Sequence, residues 1–197
     1  MRSLVRNFPI VMFLEIDKSW TLFLDRDGVI NEKRENDYVK KWDEFVFIDG
    51  SLEAISILSN LFHHIIIVTN QRGVGKELMT EADLNFIHKQ MIGVINKNMG
   101  RIDEIYFCTD IDDFAINRKP NIGMALKAKL DFPEIDFRKS TMIGDSESDM
   151  IFAQRLEMKG VLIGSFNEND LVKSAADFTF DSLLSIARHL ENFKIKI

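Results

Sequence analysis

The segment that most constrains the fold is the run of four β-branched residues at 65–68. A run that is apolar at every position is typical of a strand buried on both faces of a parallel sheet. Further segments that favour strands, at 21–24, 140–143 and 161–163, are separated by helical patterns. Because strands and helices alternate, the sequence predicts an α/β fold with a doubly wound, Rossmann-like parallel sheet.

Further patterns continue this alternation over the 197 residues, an ordinary length for one domain. The sequence predicts helices that begin near Ser51 and after a capping box at Thr80, helices at 121–130 and 182–193, and strands at 102–108 and 178–180. We expect a single domain over residues 21–197, preceded by an extension at 1–20.

Composition and charge exclude several partners. The net charge is −6, and no run of Lys and Arg would follow a phosphate backbone, so nucleic acid is not expected to bind. Cys108 is the only cysteine, which excludes an internal disulfide and suits a reducing cytoplasm. No apolar segment is long enough to cross a membrane. We therefore expect a cytoplasmic monomer.

The amino terminus superficially resembles a secretory signal, because Arg2 and Arg6 precede apolar residues at 8–14. This run is short, contains Pro9 and ends without a small-residue cleavage site, so no signal peptide is expected. Met12 is a candidate for the natural start of the chain.

Two carboxylates, Asp25 and Asp27, directly follow the first predicted strand. Because ligands bind at the carboxyl ends of strands in open parallel sheets, this pair is expected to form a reaction centre or a metal site. A solvated turn is the alternative. A calcium-binding EF-hand is excluded because Val29 and Ile30 occupy positions that require an oxygen ligand and a glycine.

Three more polar clusters lie at the ends of predicted elements: Thr69 with Asn70, Arg118 with Lys119, and Asp145 with Asp149. Together with the first acid pair, they would suit a phosphorylated substrate. A carboxylate can attack phosphorus to form an aspartyl-phosphate, which divides one difficult hydrolysis into two displacements. Because nucleophile and phosphate are both anionic, such a site needs Mg²⁺ and a nearby lysine.

The chain carries four segments, LFLDRDGVIN, IIIVTNQ, RKP and IGDSESD, that resemble in order and spacing the motifs of the haloacid dehalogenase superfamily of phosphohydrolases. The likeness covers about residues 21–163. Within the superfamily, the chain is most similar to the D-glycero-D-manno-heptose 1,7-bisphosphate phosphatases and the histidinol-phosphate phosphatases, which share DRDGVIN, VTNQ and RKP.

The resemblance implies a role for each matching residue. Asp25 would be the nucleophile and a metal ligand, and Asp27 would be the general acid and base and, through its main-chain carbonyl, a metal ligand. Thr69 and Lys119 would bind the phosphate, Asp145 would be the remaining Mg²⁺ ligand, and Asn70, Gln71 and Arg118 would lie near the substrate. Asp149 is expected to orient the surroundings of the metal rather than to bind it. Because Asp27 must carry a proton when the ester oxygen leaves, we expect its pKa to be raised.

The spacing of the motifs leaves no room for a cap domain between Asp25 and Thr69 or between Thr69 and Lys119. The site is therefore expected to be open. Substrate choice would then depend on three surface segments: a small β-flap at 38–48, a mobile loop at 73–76, and an acidic loop at 109–117.

The resemblance weakens in the acidic loop. The relatives typically carry a zinc-binding loop of three cysteines and a histidine before RKP, whereas this chain retains only Cys108. One thiolate cannot form such a site, so no zinc is expected. The acids Asp110, Asp112 and Asp113 form either a solvated loop or a surface that favours a cationic tail, such as the amine of histidinol phosphate.

Two adjacent histidines, His63 and His64, precede the β-branched run. Neighbouring side chains in a connection are expected to point in different directions. We therefore expect a solvated linker here rather than a pair of metal ligands.

The sequence thus predicts a Mg²⁺-dependent phosphomonoesterase that acts on a small phosphorylated metabolite, namely a heptose bisphosphate or a related sugar phosphate. Histidinol phosphate is the alternative substrate. A phosphotransferase is disfavoured because an open site does not exclude water. The complete set of catalytic residues disfavours a non-catalytic phosphate-binding module, and the acidic charge disfavours a polynucleotide end phosphatase.

Overall fold

The computed structural model describes residues 16–165, 172 and 175–194. Most of the predicted amino-terminal extension, including Met12, lies outside the described residues. Ile16 and Trp20 were assigned to this extension, but both are buried in the core, and the carbonyl of Trp20 accepts a hydrogen bond from the amide of His63. The packed domain therefore begins before residue 21.

A single six-stranded parallel sheet forms the centre of the molecule, in the order β3-β2-β1-β4-β5-β6. The strands are β1 (Thr21–Leu24), β2 (His64–Asn70), β3 (Glu104–Cys108), β4 (Ser140–Gly144), β5 (Lys159–Ile163) and β6 (Phe178–Phe180). The β-branched run at 65–68 lies in β2 and is fully buried, as predicted. Because β1 lies between β2 and β4, the strand order reverses there, and such a switch point is where open sheets bind ligands.

Helices cover both faces of the sheet: α1 (Ser51–Leu61), α2 (Arg72–Gly75), α3 (Glu81–Lys97), α4 (Gly123–Asp131), α5 (Glu147–Arg155) and α6 (Leu183–Lys194). Alternate residues of β1 point to opposite faces. Leu22 and Leu24 pack in the cluster that contains residues of α1, α3 and α6, whereas Phe23 packs with α4 and α5. This arrangement confirms the doubly wound α/β fold.

Two helices begin with capping boxes. The predicted one joins Thr80 to Asp83 at the start of α3. The other joins Ser146 to Asp149 at the start of α5, a helix that was not predicted because its polar first turn resembled a loop. Among the helices of the described chain, none has both the length and the apolar character needed to span a membrane.

The predicted β-flap contains no regular strand in this structure. Residues 38–48 include a short 3₁₀ helix at Trp42–Glu44, and one isolated antiparallel bridge joins Asn31 to Phe47. The rings of Trp42, Phe45 and Phe47 pack on one another, with centroids 5.1 Å apart for the first pair and 5.0 Å for the last. Aromatic packing therefore holds this segment together with two main-chain hydrogen bonds, from the amide of Glu32 to Val46 and from the amide of Ile48 to Ile30.

The segment at 73–76 was also predicted incorrectly, because it belongs largely to the short helix α2 rather than to an irregular loop. The amide of Lys76 donates to the carbonyl of Arg72 at 3.0 Å. A Cβ at Gly75 would lie 2.1 Å from the carbonyl oxygen of Thr109, so glycine allows this turn to pack against the acidic loop.

Candidate active site

The three central strands bring the predicted acids together. Leu24, the last residue of β1, pairs with residues of both β2 and β4. Asp25 therefore emerges beside the end of β4, which is followed directly by Asp145. One carboxylate oxygen from each of Asp25, Asp145 and Asp149 lies within 4.8 Å of the other two. The sheet register thus explains how residues 120 positions apart in the chain form one acidic site.

Lys119 lies among these acids. Its Nζ is 2.9 Å from Asp25 Oδ1 and 2.6 Å from Asp149 Oδ1. The side chain of Asn70 fixes the lysine main chain, because it donates to the carbonyl of Lys119 at 3.1 Å and accepts from its amide at 3.0 Å. Burial lowers the pKa of Lys119, but Asp149 and Asp25 outweigh that effect, so the net pKa is raised and the ammonium keeps its charge.

The pKa of Asp25 is raised to about 6. Burial is the largest cause, Lys119 opposes it, and the negative charges of Asp149 and Asp27 add to it. Burial and the charge of Asp25 likewise raise the pKa of Asp145. The site therefore carries more negative charge than Lys119 alone balances.

These acids fit a hard divalent cation. Asp145 Oδ1 is buried and accepts no hydrogen bond from the described residues. A Cβ at Gly28 would lie 2.2 Å from Asp145 Oδ2, so only glycine allows the loop after β1 to approach this carboxylate so closely. Mg²⁺ is usually held by one or two carboxylates together with phosphate oxygens and water. Asp25 and Asp145 can provide the two carboxylates.

Asp149 has a partner for each of its oxygens. Oδ1 contacts Lys119, and Oδ2 accepts hydrogen bonds from the amide and the hydroxyl of Ser146 at 3.1 Å and 2.6 Å. A Cβ at Gly144 would collide with this side chain, at 2.3 Å from its Cβ. Asp149 thus holds Lys119 and the start of α5 in place, and its role at a metal stays a prediction.

Asp27 is held by three neighbouring side chains. Its oxygens accept hydrogen bonds from Arg26 at 2.9 Å, from Asn31 at 2.9 Å and from Gln71 at 2.8 Å. Burial raises the pKa of Asp27, but Arg26 and these hydrogen bonds together outweigh it, so the net pKa lies below the ordinary value. The predicted rise is therefore wrong for this arrangement, because the prediction left out Arg26.

Arg26 and His88 are site residues that the sequence analysis missed. The guanidinium is buried, and its Nη1 lies 3.1 Å from Nε2 of His88 on α3. Burial, followed by the charge of Arg26, lowers the pKa of His88 to about 3, so the ring is neutral and accepts this hydrogen bond. A cation between two functional aspartates was a usable signal for Arg26, whereas no local motif indicates His88.

Thr69, Gln71 and Arg118 lie around this centre. Thr69 is buried at the end of β2, and its hydroxyl accepts a hydrogen bond from Gln71 at 2.9 Å. Arg118 lies 3.3 Å from Asp113 in the acidic loop, and the guanidinium of Arg72 pairs with the same carboxylate. Two arginines thus balance the acidic loop at this point, which removes much of the basis for a cationic substrate tail.

Comparisons with known proteins agree with this geometry. Residues 21–187 match the family model described as Polynucleotide kinase 3 phosphatase. The D-glycero-alpha-D-manno-heptose-1,7-bisphosphate 7-phosphatase of Burkholderia mallei is 40% identical over 141 residues, which cover 68% of this chain and 73% of that relative. The chain belongs to the heptose-1,7-bisphosphate phosphatase family of the haloacid dehalogenase superfamily.

Other members of this family match most of the chain. The enzyme of the same name from Mycobacterium bovis is 33% identical over 85% of this chain and 90% of its own length. The crystal structure of D,D-heptose 1,7-bisphosphate phosphatase from B. bronchiseptica with magnesium and phosphate has a TM-score of 0.78 at 28% identity, covering 88% of this chain and 98% of that one. Family membership confirms the predicted phosphatase class and the predicted fold.

Proposed function

We propose that this phosphatase removes the 7-phosphate of a heptose 1,7-bisphosphate in a Mg²⁺-dependent reaction, through an aspartyl-phosphate on Asp25. One observation carries the proposal: Asp25, Lys119 and Asp145 converge at the switch point of the sheet in a chain of this family. This arrangement offers a nucleophile, a fixed cation and a carboxylate pair for Mg²⁺.

In the first step, a carboxylate oxygen of Asp25 attacks phosphorus, and the bond from phosphorus to the ester oxygen breaks. Lys119 contacts the phosphoryl oxygens and balances their charge. Asp27 gives its proton to the leaving oxygen. The contacts with Arg26, Asn31 and Gln71 favour the ionised carboxylate, so Asp27 must lose some of them before it can carry a proton and act as the acid.

In the second step, a water molecule attacks the phosphorus of the aspartyl-phosphate, and Asp27 takes a proton from that water. The bond between phosphorus and Asp25 breaks, which releases inorganic phosphate and restores both carboxyl groups. Asp25, Asp145 and the main-chain carbonyl of Asp27 would hold Mg²⁺, which supplies positive charge that brings the anionic phosphate to the anionic nucleophile.

Charge around the site supports a substrate with a second anionic group. Lys33 pairs with Asp145 of the site, and Arg72 and Arg118 pair with an acid of the acidic loop. These pairs can open to bind a second phosphate. Histidinol phosphate offers an amine there instead, so it is the less suitable substrate.

We propose a monomeric cytoplasmic enzyme. We also propose that it does not act on nucleic acid, because the chain carries a net charge of −6. The loop before Arg118 is proposed to hold no zinc, since Cys108 is its only cysteine and donates to Asp110 at 3.4 Å.

A substrate panel tests this function. It contains the α and β anomers of heptose 1,7-bisphosphate, heptose 7-phosphate, histidinol phosphate and an oligonucleotide 3′-phosphate, each assayed with Mg²⁺ for kcat/KM. We expect one heptose 1,7-bisphosphate anomer to be preferred. A higher kcat/KM for histidinol phosphate or the oligonucleotide would overturn the proposed substrate. In that case, loss of all activity in Asp25→Asn would still support the mechanism through an aspartyl-phosphate.

A further inference from the structure

A second cluster of metal-ligating side chains lies where β2 begins, at the end of the sheet opposite the acidic site. Contrary to the sequence-based expectation, the imidazoles of His63 and His64 do not diverge, because their ring centroids are 4.3 Å apart. Glu134, from the connection after α4, places its Oε1 2.6 Å from His64 Nε2. One ligand atom from each of the three residues lies within 4.8 Å of the others.

The main chain of both histidines is fixed by several hydrogen bonds. The amide of His63 donates to the carbonyl of Trp20 at 2.8 Å, and the guanidinium of Arg101 donates to the carbonyl of His63 at 2.6 Å. His64 is paired with Thr21 of β1 in the sheet. These bonds set the direction of both side chains before any ligand arrives, which reduces the entropy lost on binding.

Glu134 is fixed in a similar way. Lys129 Nζ donates to the carbonyls of the residues on either side, Pro133 and Ile135, the first at 2.6 Å. Ile135 is buried in the core, so this connection is anchored below the glutamate. The ring of His64 also packs on Phe132, with centroids 4.7 Å apart. The main chain that carries the three residues is thus anchored, while the Glu134 side chain itself is 52% exposed.

The chemistry of these donors selects a class of ion. Two imidazole nitrogens and one carboxylate oxygen suit Zn²⁺, Co²⁺ or Ni²⁺, whereas Mg²⁺ prefers oxygen ligands only. Asp103 Oδ2 lies 3.9 Å from Nδ1 of His64, which is beyond hydrogen-bond distance, and it accepts hydrogen bonds from the amide of Ile65 and from Arg101. No hydrogen bond to a ring nitrogen of His63 is found within the described residues, so its lone pair is available.

We propose that His63, His64 and Glu134 bind a divalent transition-metal ion, with water completing the coordination. The ion would link the start of β2 to the connection between α4 and β4, and would therefore stabilise the fold at this end of the sheet. This site is independent of the proposed Mg²⁺ site. Zn²⁺ at this site would contradict the sequence-based expectations that no zinc is bound and that His63 and His64 form a solvated linker rather than a pair of metal ligands.

Titration of the full-length protein with Co²⁺ and Zn²⁺ tests this site, with Mg²⁺ in large excess to occupy the acidic site. We expect one equivalent of either ion to bind, with visible Co²⁺ absorption bands and a raised melting temperature. His63→Ala and Glu134→Gln should each weaken binding about tenfold or more. His189→Ala, at a histidine of α6, and Asp145→Asn should leave it unchanged.

Glu134→Gln preserves side-chain size, so it decides the outcome if His63→Ala fails to fold. Failure of the wild-type protein to bind either ion would overturn the proposal. So would binding that is equally strong in the wild-type protein and Glu134→Gln. Phosphatase activity is not the readout, so the result stands apart from the proposed function.

Discussion

Both carboxylate oxygens of Asp27 accept a hydrogen bond from the same nitrogen of Arg26, each at 2.9 Å. The guanidinium is itself held by His88 on α3, so the general acid of the proposed mechanism is oriented from that helix. This contact favours the ionised form of Asp27. Arg26 thus prepares the carboxylate for the second step, in which it takes a proton from water.

Removing Arg26 should change the pH dependence of catalysis. Without the adjacent cation, the pKa of Asp27 rises, because Arg26 is the largest of the influences that hold it below its ordinary value. Asp27 must be protonated to act as the acid, so the alkaline limb of the kcat profile should move to higher pH in Arg26→Met. The control is Arg138→Met, at an exposed arginine that pairs with Glu157. An unshifted limb would contradict this role.

Lys119 should be essential for both stability and activity. In Lys119→Met, Asp25 and Asp149 lose their shared buried cation, so the free energy of unfolding should fall by about 3–5 kcal/mol at neutral pH. Urea denaturation measures this loss. Adding Asp149→Asn should restore part of the stability without restoring activity. Recovery of activity in the double variant would show that the lysine has no role in binding phosphate.

Lys33 should compete with Mg²⁺ for Asp145. Its Nζ lies 2.8 Å from Asp145 Oδ2, and its side chain is 56% exposed, so the pair is a weak surface interaction. Lys33→Met should therefore tighten Mg²⁺ binding by about two- to fivefold, as expected for an exposed ion pair of up to about 1 kcal/mol. Calorimetric titration measures the change, with Lys76→Met as the matched control. Weaker Mg²⁺ binding in Lys33→Met would contradict the competition.

His88 should make the fold sensitive to acid. Its pKa falls from 6.5 to about 3 on folding, so below pH 6.5 the unfolded chain binds a proton that the folded protein does not. Stability therefore falls as pH decreases from 6.5 towards 3, by about 2 kcal/mol between pH 7 and pH 5. His88→Gln should lose about 2 kcal/mol less than the wild-type protein over that range. Equal losses in the two proteins would rule out this linkage.

The fold was predictable because its signals are local. The β-branched run of β2 and the capping box of α3 identify their elements within a few residues. Asp25, directly after β1, was also identified correctly as a neighbour of Asp145, because the ends of adjacent parallel strands must meet. Boundaries such as the start of the domain were less accurate, since the burial of Trp20 depends on packing between distant segments.

The missed features depend on contacts that no local pattern encodes. His88 reaches Arg26 across 62 positions of sequence, and only the packing of α3 on the sheet brings them together. By contrast, the pKa of Asp27 was predicted in the wrong direction because Arg26, its neighbour in the sequence, was left out. Likewise, Glu134 lies 70 positions from His64, so no sequence pattern groups the two residues.

Phosphorus NMR of a reaction with heptose 1,7-bisphosphate and Mg²⁺ tests the central claim most directly, by comparing the wild-type protein with Asp25→Asn. With the wild-type protein, the 7-phosphate signal should disappear while heptose 1-phosphate and inorganic phosphate accumulate in equal amounts. With Asp25→Asn, the spectrum should stay that of the substrate. Phosphate release by Asp25→Asn at the wild-type rate, or loss of the 1-phosphate first, would contradict the account.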